Sequence, residues 1–387
     1  MSTHELTYTN VSANEAPGLW ETISQALHRS IQPGWNEHVG HERFRAVRMG
    51  SEIVGGMGII PMGQWFGGRL VPTGAVTSVG VAPEGRGIGA ASVLMHGAIR
   101  EMQASGMVIS TLFPSSARVY RSFGYERSGV KLTYEAPVKE MRTLSNQLSM
   151  TEAREVDREE MVLLFNKRGS LSNGNLDRGD VLWDLILGTR GRQVFTYIVR
   201  DGAEPVGYVN FQQARSADHI RVRDVVALTP EAVQRLLRFF SDHRSVIETI
   251  SWNGPPNDPL MLMMEEQEAK QVHSRDWMVR VLNLKSALEA RGYPADVEIS
   301  LALTIEDPLL DENTGTWTLD VSEGRCTVTS GGTGGLSMGP RGFAPLYTNH
   351  LSPQDIKNIG LLKGTDEDIS KAATIFGGPR PWIGDQF

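Results

Sequence analysis

A glycine-rich turn between a strand-like run and a helical run is the segment of this sequence best suited to chemistry. Ala75–Val81 predicts a strand, and the residues after Ala82, PEGRGIG over 83–89, precede an amphipathic helical pattern. Three glycines within five residues let main-chain N–H groups approach a ligand closely. At a helix N-terminus such groups favour phosphate, and Arg86 adds a cation. The turn therefore predicts a local phosphate site.

Three kinds of phosphate-binding turn are compatible with glycines after a strand, and the flanking residues separate them. A P-loop needs Gly-Lys-Ser/Thr, which does not follow here. A dinucleotide fold places its turn after the first strand, whereas several predicted strands precede this one. The pattern Arg/Gln-x-x-Gly-x-Gly/Ala is met by residues 86–91, RGIGAA. This block resembles the acetyl-CoA pyrophosphate loop of the GNAT acetyltransferase superfamily. A glycine-rich turn without a ligand is the alternative.

A tyrosine follows in the short helical run from Ser115 to Phe123. GNAT enzymes commonly carry a tyrosine in a helix next to a Phe-Gly or Gly-Phe pair, near the cofactor sulfur. The departing CoA thiolate, whose thiol has a pKa of about 8.5, needs a proton that a phenol can donate. The resemblance therefore implies that Tyr120 is the general acid. Tyr125 is the second candidate, and a core position is the alternative for Tyr120.

The resemblance extends beyond these two motifs to one particular GNAT family. The similar segments are residues 70–91, 119–125, 181–184, 257–260 and 287–293, together with the end of the chain. They resemble the enhanced-intracellular-survival (Eis) family of bacterial acetyltransferases. The resemblance implies an α+β fold of two fused GNAT-type mixed-sheet domains, followed by a sterol-carrier-protein-like α+β domain.

Alternating strand and helix patterns divide the chain into three blocks that fit this architecture. We predict an N-terminal GNAT domain over 1–135 that binds acetyl-CoA and a second GNAT-like domain over 136–280 without the CoA loop. A sterol-carrier-like domain over 281–387 would send its C-terminus into the active site. A short repeat supports the duplication, since VGVAPE at 79–84 resembles VALTPE at 226–231, where the arginine and glycines do not follow. The glycine-rich run 330–335 predicts a hairpin loop.

The resemblance also implies which residues contact the cofactor and the acceptor. The residues expected on acetyl-CoA are Val79, Gly80, Val81, Arg86, Gly87, Ile88, Gly89, Ala90, Ala91 and Ser115. The C-terminal carboxylate of Phe387 is implied as the base that takes a proton from the substrate ammonium. A free α-carboxylate has a pKa of about 3.5, and burial within the apolar tail would make it more basic. Trp35 and Asp385 are candidates for the acceptor side.

Composition and charge exclude several other classes of function. The 387 residues are 40 % hydrophobic and 21 % charged, which is typical of a folded protein, and the net charge of −7 disfavours a nucleic-acid partner. The single cysteine, Cys326, excludes a multi-cysteine zinc site, and we predict no metal. The first ten residues lack the layout of a signal peptide, and no apolar run of about 18 residues is present. We therefore expect a cytoplasmic protein without membrane contact.

The sequence as a whole predicts an acetyl-CoA-dependent N-acetyltransferase acting on primary amines. Direct attack in a ternary complex is expected, since Cys326 lies far from the motif and no acyl-enzyme nucleophile is evident. The resemblance implies an aminoglycoside-like polyamine or a lysine as acceptor, and a homo-oligomer, either a trimer or a hexamer. The alternative is a non-catalytic protein that senses acetyl-CoA or binds an apolar ligand.

Overall fold

Two β-sheets and twelve helices make up the part of the chain that the computed structural model describes, residues 5–28, 34–141, 147–188, 194–213, 218–266 and 268–387. The thirteen strands of the larger sheet are β1 (Leu6–Asn10), β2 (Phe44–Met49), β3 (Glu52–Phe66), β4 (Arg69–Val81), β5 (Ile109–Leu112), β6 (Glu126–Pro137), β7 (Ser149–Glu152), β8 (Leu176–Asp177), β9 (Phe195–Asp201), β10 (Glu204–Gln213), β11 (His219–Ala227), β12 (Thr249–Gly254) and β13 (Lys270–Val281). The smaller sheet consists of β14 (Ile299–Ile305), β15 (Gly315–Ser322), β16 (Arg325–Ser330), β17 (Leu336–Met338) and β18 (Leu362–Lys363).

The helices pack on the sheets and supply much of the buried apolar surface. They are α1 (Ala16–Ala26), α2 (Trp35–Val39), α3 (Ala90–Ala104), α4 (Ala117–Arg121), α5 (Arg158–Ser170), α6 (Asp180–Leu187), α7 (Pro230–Ser241), α8 (Pro259–Leu262), α9 (Leu284–Ala290), α10 (Pro340–Thr348), α11 (Pro353–Asn358) and α12 (Asp366–Ile375). None of these described helices combines the length and the apolar composition needed to cross a bilayer.

The larger sheet runs without a break through the first two blocks of the sequence. Its strand order is β1-β2-β3-β4-β5-β13-β6-β12-β11-β10-β9-β7, with β8 paired to β3. Strand β13 was not expected from the sequence, and it joins β5 to β6 by antiparallel pairing on both sides. A strand from the end of the second block is therefore inserted between two strands of the first block.

Two pairs of parallel strands in this sheet diverge part of the way along their length. Strands β4 and β5 pair from Thr73 to Val76, while β4 continues beside β3 as far as Val81. Strands β11 and β12 pair as far as Arg221, while β11 continues beside β10 to Ala227. A strand that loses its neighbour leaves a row of peptide groups uncovered on that side. Each GNAT-like block thus contains a cleft inside the sheet.

The glycine-rich run 330–335 is not a hairpin loop, so that prediction was wrong. It connects β16 to β17, which lie on opposite sides of the β15–β14 pair, and β17 runs parallel to β14. A parallel neighbour requires a crossover connection rather than a hairpin. Gly335 has a φ of +82°, and a Cβ at this position would overlap the carbonyl oxygen of Ala302. Glycine therefore permits the close passage over β14.

The end of the chain leaves the third block and returns to the larger sheet. The main-chain N–H of Trp382 donates to Asn173 O at 3.0 Å, and that of Ile383 donates to Val130 O at 3.0 Å. The side-chain amide of Asn253 donates to Gly384 O at 3.2 Å. We call residues 378–387 the tail. Its anchoring contacts come from several separate parts of the two GNAT-like blocks.

A buried ion pair connects the larger sheet to the third block. Arg280 on β13 places Nη2 2.6 Å from each carboxylate oxygen of Asp307, and both side chains are almost fully buried. Asp307 also accepts the N–H groups of Leu309 and Leu310 at 3.1 Å. Removing one member of such a pair leaves an uncompensated charge in the interior.

We expect Asp307→Asn to destabilise the protein by about 3–5 kcal/mol, because the guanidinium of Arg280 would stay buried without its counter-charge. The measurement is the midpoint of urea unfolding followed by tryptophan fluorescence. The matched control is Asp366→Asn, since Asp366 forms an exposed pair with Lys357 at 2.9 Å, and its midpoint should hardly move. Equal shifts in the two variants would contradict this role for the Arg280–Asp307 pair.

Candidate active site

A cavity of about 310 Å³ lies where the two sheet clefts and the tail meet. Strand β4 contributes residues 76–79 to one wall, together with Ser115 and Tyr120. Strand β11 contributes residues 221–223 to the other wall, and tail residues 384–387 lie between them. All three blocks of the sequence therefore contribute to a single cavity.

A β-bulge shapes strand β4 where it borders the cavity. The pairing between β3 and β4 shifts at this point, since Gly58 pairs with Thr77 but Gly56 pairs with Gly80. Ser78 has a φ of +53°, which is unusual for a residue with a side chain. Within the described residues, β4 has no recorded pairing with β5 beyond Val76. Its peptide groups can therefore pair with the amides of an extended ligand by strand-like hydrogen bonding.

The glycine-rich turn leaves the N-terminus of α3 without a side-chain cap. Gly87 and Gly89 have φ values of +77° and +94°, and Gly89 occupies the N-cap position. The first N–H groups of a helix have no partner within the helix, so an uncapped first turn offers donors to an anion. Arg86 is exposed, and its guanidinium donates to Val81 O and to Ala26 O, each at 3.3 Å.

The equivalent helix of the second block is closed by a side chain. Helix α7 follows β11 as α3 follows β4, and the Thr229 hydroxyl accepts the N–H of Ala232 at 3.1 Å. This bond satisfies one of the first-turn N–H groups of α7, whereas the corresponding groups of α3 have no side-chain cap. The duplicated strand-to-helix connection therefore offers an anion site in the first block and a capped helix in the second.

Tyr120, the residue predicted to be the general acid, lines this cavity. It belongs to α4, is 5 % exposed and lines the cavity beside Ser115. Burial raises the pKa of Tyr120, and a hydrogen bond with Ser115 opposes that rise. The phenol is therefore protonated near neutral pH. Tyr125 is fully buried, does not line the cavity, and donates to Ser110 Oγ at 2.8 Å.

The tail places its last residues beside the first cleft. The ring of Phe387 packs against that of Phe113 with 5.4 Å between centroids, and Phe387 is 8 % exposed. Trp35, at the start of α2, lines the same cavity. The cavity thus brings together Val79, Ser115, Tyr120, Phe387, Asp385 and Trp35. The other predicted cofactor residues, 80–81 and 86–91, do not line it.

A buried charge network around Arg178 holds the tail, and the sequence analysis missed it. Arg178 donates to Asp385 Oδ1 through Nε at 2.8 Å and Nη2 at 2.7 Å, and Nη1 pairs with Asp224. Although burial opposes its ionisation, Asp224 has its pKa lowered to about 2 by Arg178 and Arg168. Asp224 also accepts the hydroxyl proton of Tyr208 at 2.5 Å. No local sequence pattern marks Arg178, because its two partners are distant in the chain.

Lys131 is a further cavity residue that the sequence analysis did not identify. It lies on β6, and burial lowers its pKa to about 8. The charges of Arg221 and Arg275 act in the same direction, while the carboxylate of Asp385 opposes them. Among the described residues, no group of three His, Cys, Asp or Glu side chains is arranged to hold a metal ion.

Comparisons with known proteins match all three blocks of the sequence. The family description "Acetyltransferase (GNAT) domain" matches residues 7–128 and again residues 174–281, and "Sterol carrier protein domain" matches residues 284–384. A GCN5-related N-acetyltransferase from Anabaena variabilis is 34 % identical, with 99 % of this chain and 100 % of that chain covered and a TM-score of 0.95. A GCN5-related N-acetyltransferase from Kribbella flavida is 27 % identical, with 100 % of this chain and 99 % of that chain covered and a TM-score of 0.90.

The chain belongs to the GCN5-related N-acetyltransferases and is an acetyltransferase. Within that family it is similar to the Eis enzymes. N-acetyltransferase Eis of Mycobacterium tuberculosis is 28 % identical over 304 residues, which cover 72 % of either chain. The expected architecture of two GNAT domains and a sterol-carrier-like domain is thereby confirmed, as is the expectation of an enzyme. Enzymes of this family use acetyl-CoA as co-substrate.

Proposed function

We propose that this enzyme acetylates a primary amine through direct attack on acetyl-CoA in the cavity between its two GNAT domains. The contrast between α3 and α7 is the observation that carries the proposal. Helix α3 leaves its first-turn N–H groups available, whereas Thr229 caps α7. The diphosphate would bind at residues 86–91, and the pantetheine arm would follow the open side of β4 at Val79 to Val81.

The proposed reaction assigns one proton transfer to each side of the cavity. The acceptor amine enters as an ammonium ion and loses a proton to the main-chain carboxylate of Phe387. The amine nitrogen then attacks the thioester carbon, so that a C–N bond forms and the C–S bond breaks. Tyr120 donates its phenolic proton to the leaving thiolate, and the second proton, which the nitrogen loses as the amide forms, restores the Tyr120 phenol through solvent. Burial keeps the Tyr120 phenol protonated before the thiolate leaves, and the burial of the Phe387 ring supports a more basic carboxylate beside it.

The tail contacts give a reason why a chain-end carboxylate would be placed reproducibly. Arg178 holds Asp385, Asn253 holds Gly384, and the rings of Phe387 and Phe113 are in contact. These contacts restrict the motion of the carboxylate, which reduces the entropy lost when the acceptor binds. A homo-oligomer, trimer or hexamer, and a cytoplasmic location stay predictions.

Gly89→Ala should weaken acetyl-CoA binding about tenfold or more, because the added methyl group projects into the space assigned to the phosphates and disturbs charge-assisted hydrogen bonds. Calorimetric titration with acetyl-CoA measures this loss. Gly106→Ala is the matched control, since Gly106 also has a positive φ of +80° and open space at its Cβ position but lies beyond the C-terminus of α3. The proposed loop fails if both variants lose the same affinity.

Tyr120→Phe should lower kcat about 100- to 10,000-fold without changing the affinity for acetyl-CoA, because only the proton donor is removed. The readouts are thiol release with an amine panel and calorimetry with acetyl-CoA. Tyr125→Phe serves as the control, since its hydroxyl binds Ser110 away from the cavity, and it should lose thermal stability but keep turnover. Unchanged kcat in Tyr120→Phe would remove the phenol from the mechanism.

Extending the chain beyond Phe387 with a short peptide should lower kcat/KM about 100-fold or more, because the carboxylate becomes a neutral amide. The same peptide added at the N-terminus is the control and should have little effect. Phe387→Leu keeps the carboxylate and an apolar side chain, so most of the turnover should be retained. Full activity in the extended enzyme would exclude the carboxylate as the base.

A further inference from the structure

The cavity is lined by several positive charges, which would not favour the binding of an acceptor that enters as an ammonium ion. Four cationic side chains line it: Lys131, Arg221, Arg223 and Arg275. Asp385 is the only aspartate or glutamate among the lining residues of the described chain, and Arg178 already binds it. Every aspartate and glutamate of the sequence falls within the described ranges, so the remaining segments bring no further side-chain carboxylate. The carboxylate of Phe387 still leaves the cations in excess.

Two of these cations are adjacent across neighbouring strands. Lys131 on β6 is paired directly with Arg275 on β13. Like charges placed opposite each other in a sheet destabilise it. Burial adds to the cost, as the lowered pKa of Lys131 indicates. An anion bound beside Lys131 and Arg275 would offset both costs, whereas an ammonium group bound there would increase them.

The cations lie on other strands than the residues of the proposed cofactor wall. They belong to β6, β11 and β13, whereas the cofactor wall is formed by β4, Ser115 and Tyr120. The residues of the glycine-rich turn do not line this cavity. The phosphates of CoA would therefore bind at a separate site at α3. They do not account for the four cavity cations Lys131, Arg221, Arg223 and Arg275, which we call the basic wall.

The basic wall reaches the groups that we assign to the reaction. The guanidinium carbon of Arg275 lies 4.7 Å from the ring centroid of Phe113, which packs against Phe387. Gln212, Arg221 and Asn253 extend the same polar surface along the second cleft, and Gln212 pairs with Arg221 across β10 and β11. An acceptor can thus place one end on this wall and its amine beside Phe387.

We infer that the acceptor carries an acid group, carboxylate or phosphate, on the same molecule as its amine, and that Lys131, Arg221 and Arg275 bind this acid group. This inference rests on the proposed function and narrows it. A free amino acid such as lysine fits the basic wall, because its carboxylate meets the cations. A polycationic aminoglycoside-like amine would meet charges of its own sign.

The test compares amines that differ only in the group at the far end. A series of ω-amino acids of increasing chain length is assayed by thiol release, each beside the alkylamine and the diamine of the same length. Free α-amino acids are assayed beside their amides, and 2-aminoethyl phosphate beside ethanolamine separates phosphate from carboxylate. We expect kcat/KM to be highest for the acid member of each set and lowest for the diamine.

Variants of the wall connect that preference to these residues. Arg221→Gln and Arg275→Gln should each raise KM for the preferred acid amine about tenfold or more, with kcat and the KM of the matching alkylamine little changed. Arg221→Glu should shift the preference towards the diamine. Arg238→Gln is the control, since Arg238 lies on α7 with its side chain paired to Asp242 and should leave all values unchanged.

Two results overturn the inference in ways that can be told apart. If alkylamines or diamines are preferred and the wall variants do not alter this, the inference is wrong while the proposed acetyltransfer stands. If none of the amines leads to release of the CoA thiol, the proposed function is wrong. The site for the acid group is then tested separately, by calorimetric titration with the N-acetylated ω-amino acids. Binding that is weakened in Arg221→Gln would support the acid site, and the absence of binding would overturn it.

Discussion

The pairing of Arg178 with Asp385 and Asp224 is the interaction on which the rest of the site depends. It connects residues from the middle block, the second sheet cleft and the tail, all in the interior of the protein. A guanidinium held between two carboxylates is satisfied only when all three segments are in place, because a missing partner leaves a buried charge uncompensated. The network thereby holds the tail, whose residues 384–387 line the cavity, against strand β11.

The two GNAT domains show how one supersecondary unit can serve two purposes. Both contain a pair of diverging parallel strands followed by a helix, and the difference lies in a few residues at the helix start. Glycines at 87 and 89 leave α3 open to an anion, whereas Thr229 closes α7. The second cleft instead receives the tail through Asn253 and presents Arg221 to the cavity. The second domain thus contributes the side of the cavity to which we assign acceptor binding.

Local features of the site can be read from the sequence, and long-range ones cannot. The turn at 83–89 and the helix around Tyr120 depend on neighbouring residues, so their spacing is informative. Strand β13, the basic wall and Arg178 depend on contacts between residues distant in the chain, which periodicity does not encode. The hairpin expected at 330–335 was wrong for the same reason, since strand order within a sheet decides how a glycine-rich loop runs. The three-part architecture was predictable because matching segments occur in every block.

The return of the tail to the larger sheet has a consequence for the order of events at the ribosome. Residues 378–387 emerge at the very end of the sterol-carrier-like domain, yet Val130, Asn173 and Asn253 that receive them are translated long before. The cavity that the tail lines is therefore completed last, whatever the order in which the earlier domains fold. A nascent or prematurely terminated polypeptide would contain the glycine-rich turn and Tyr120 without this wall of the cavity, so the proposed mechanism implies that truncated products are inactive as acetyltransferases.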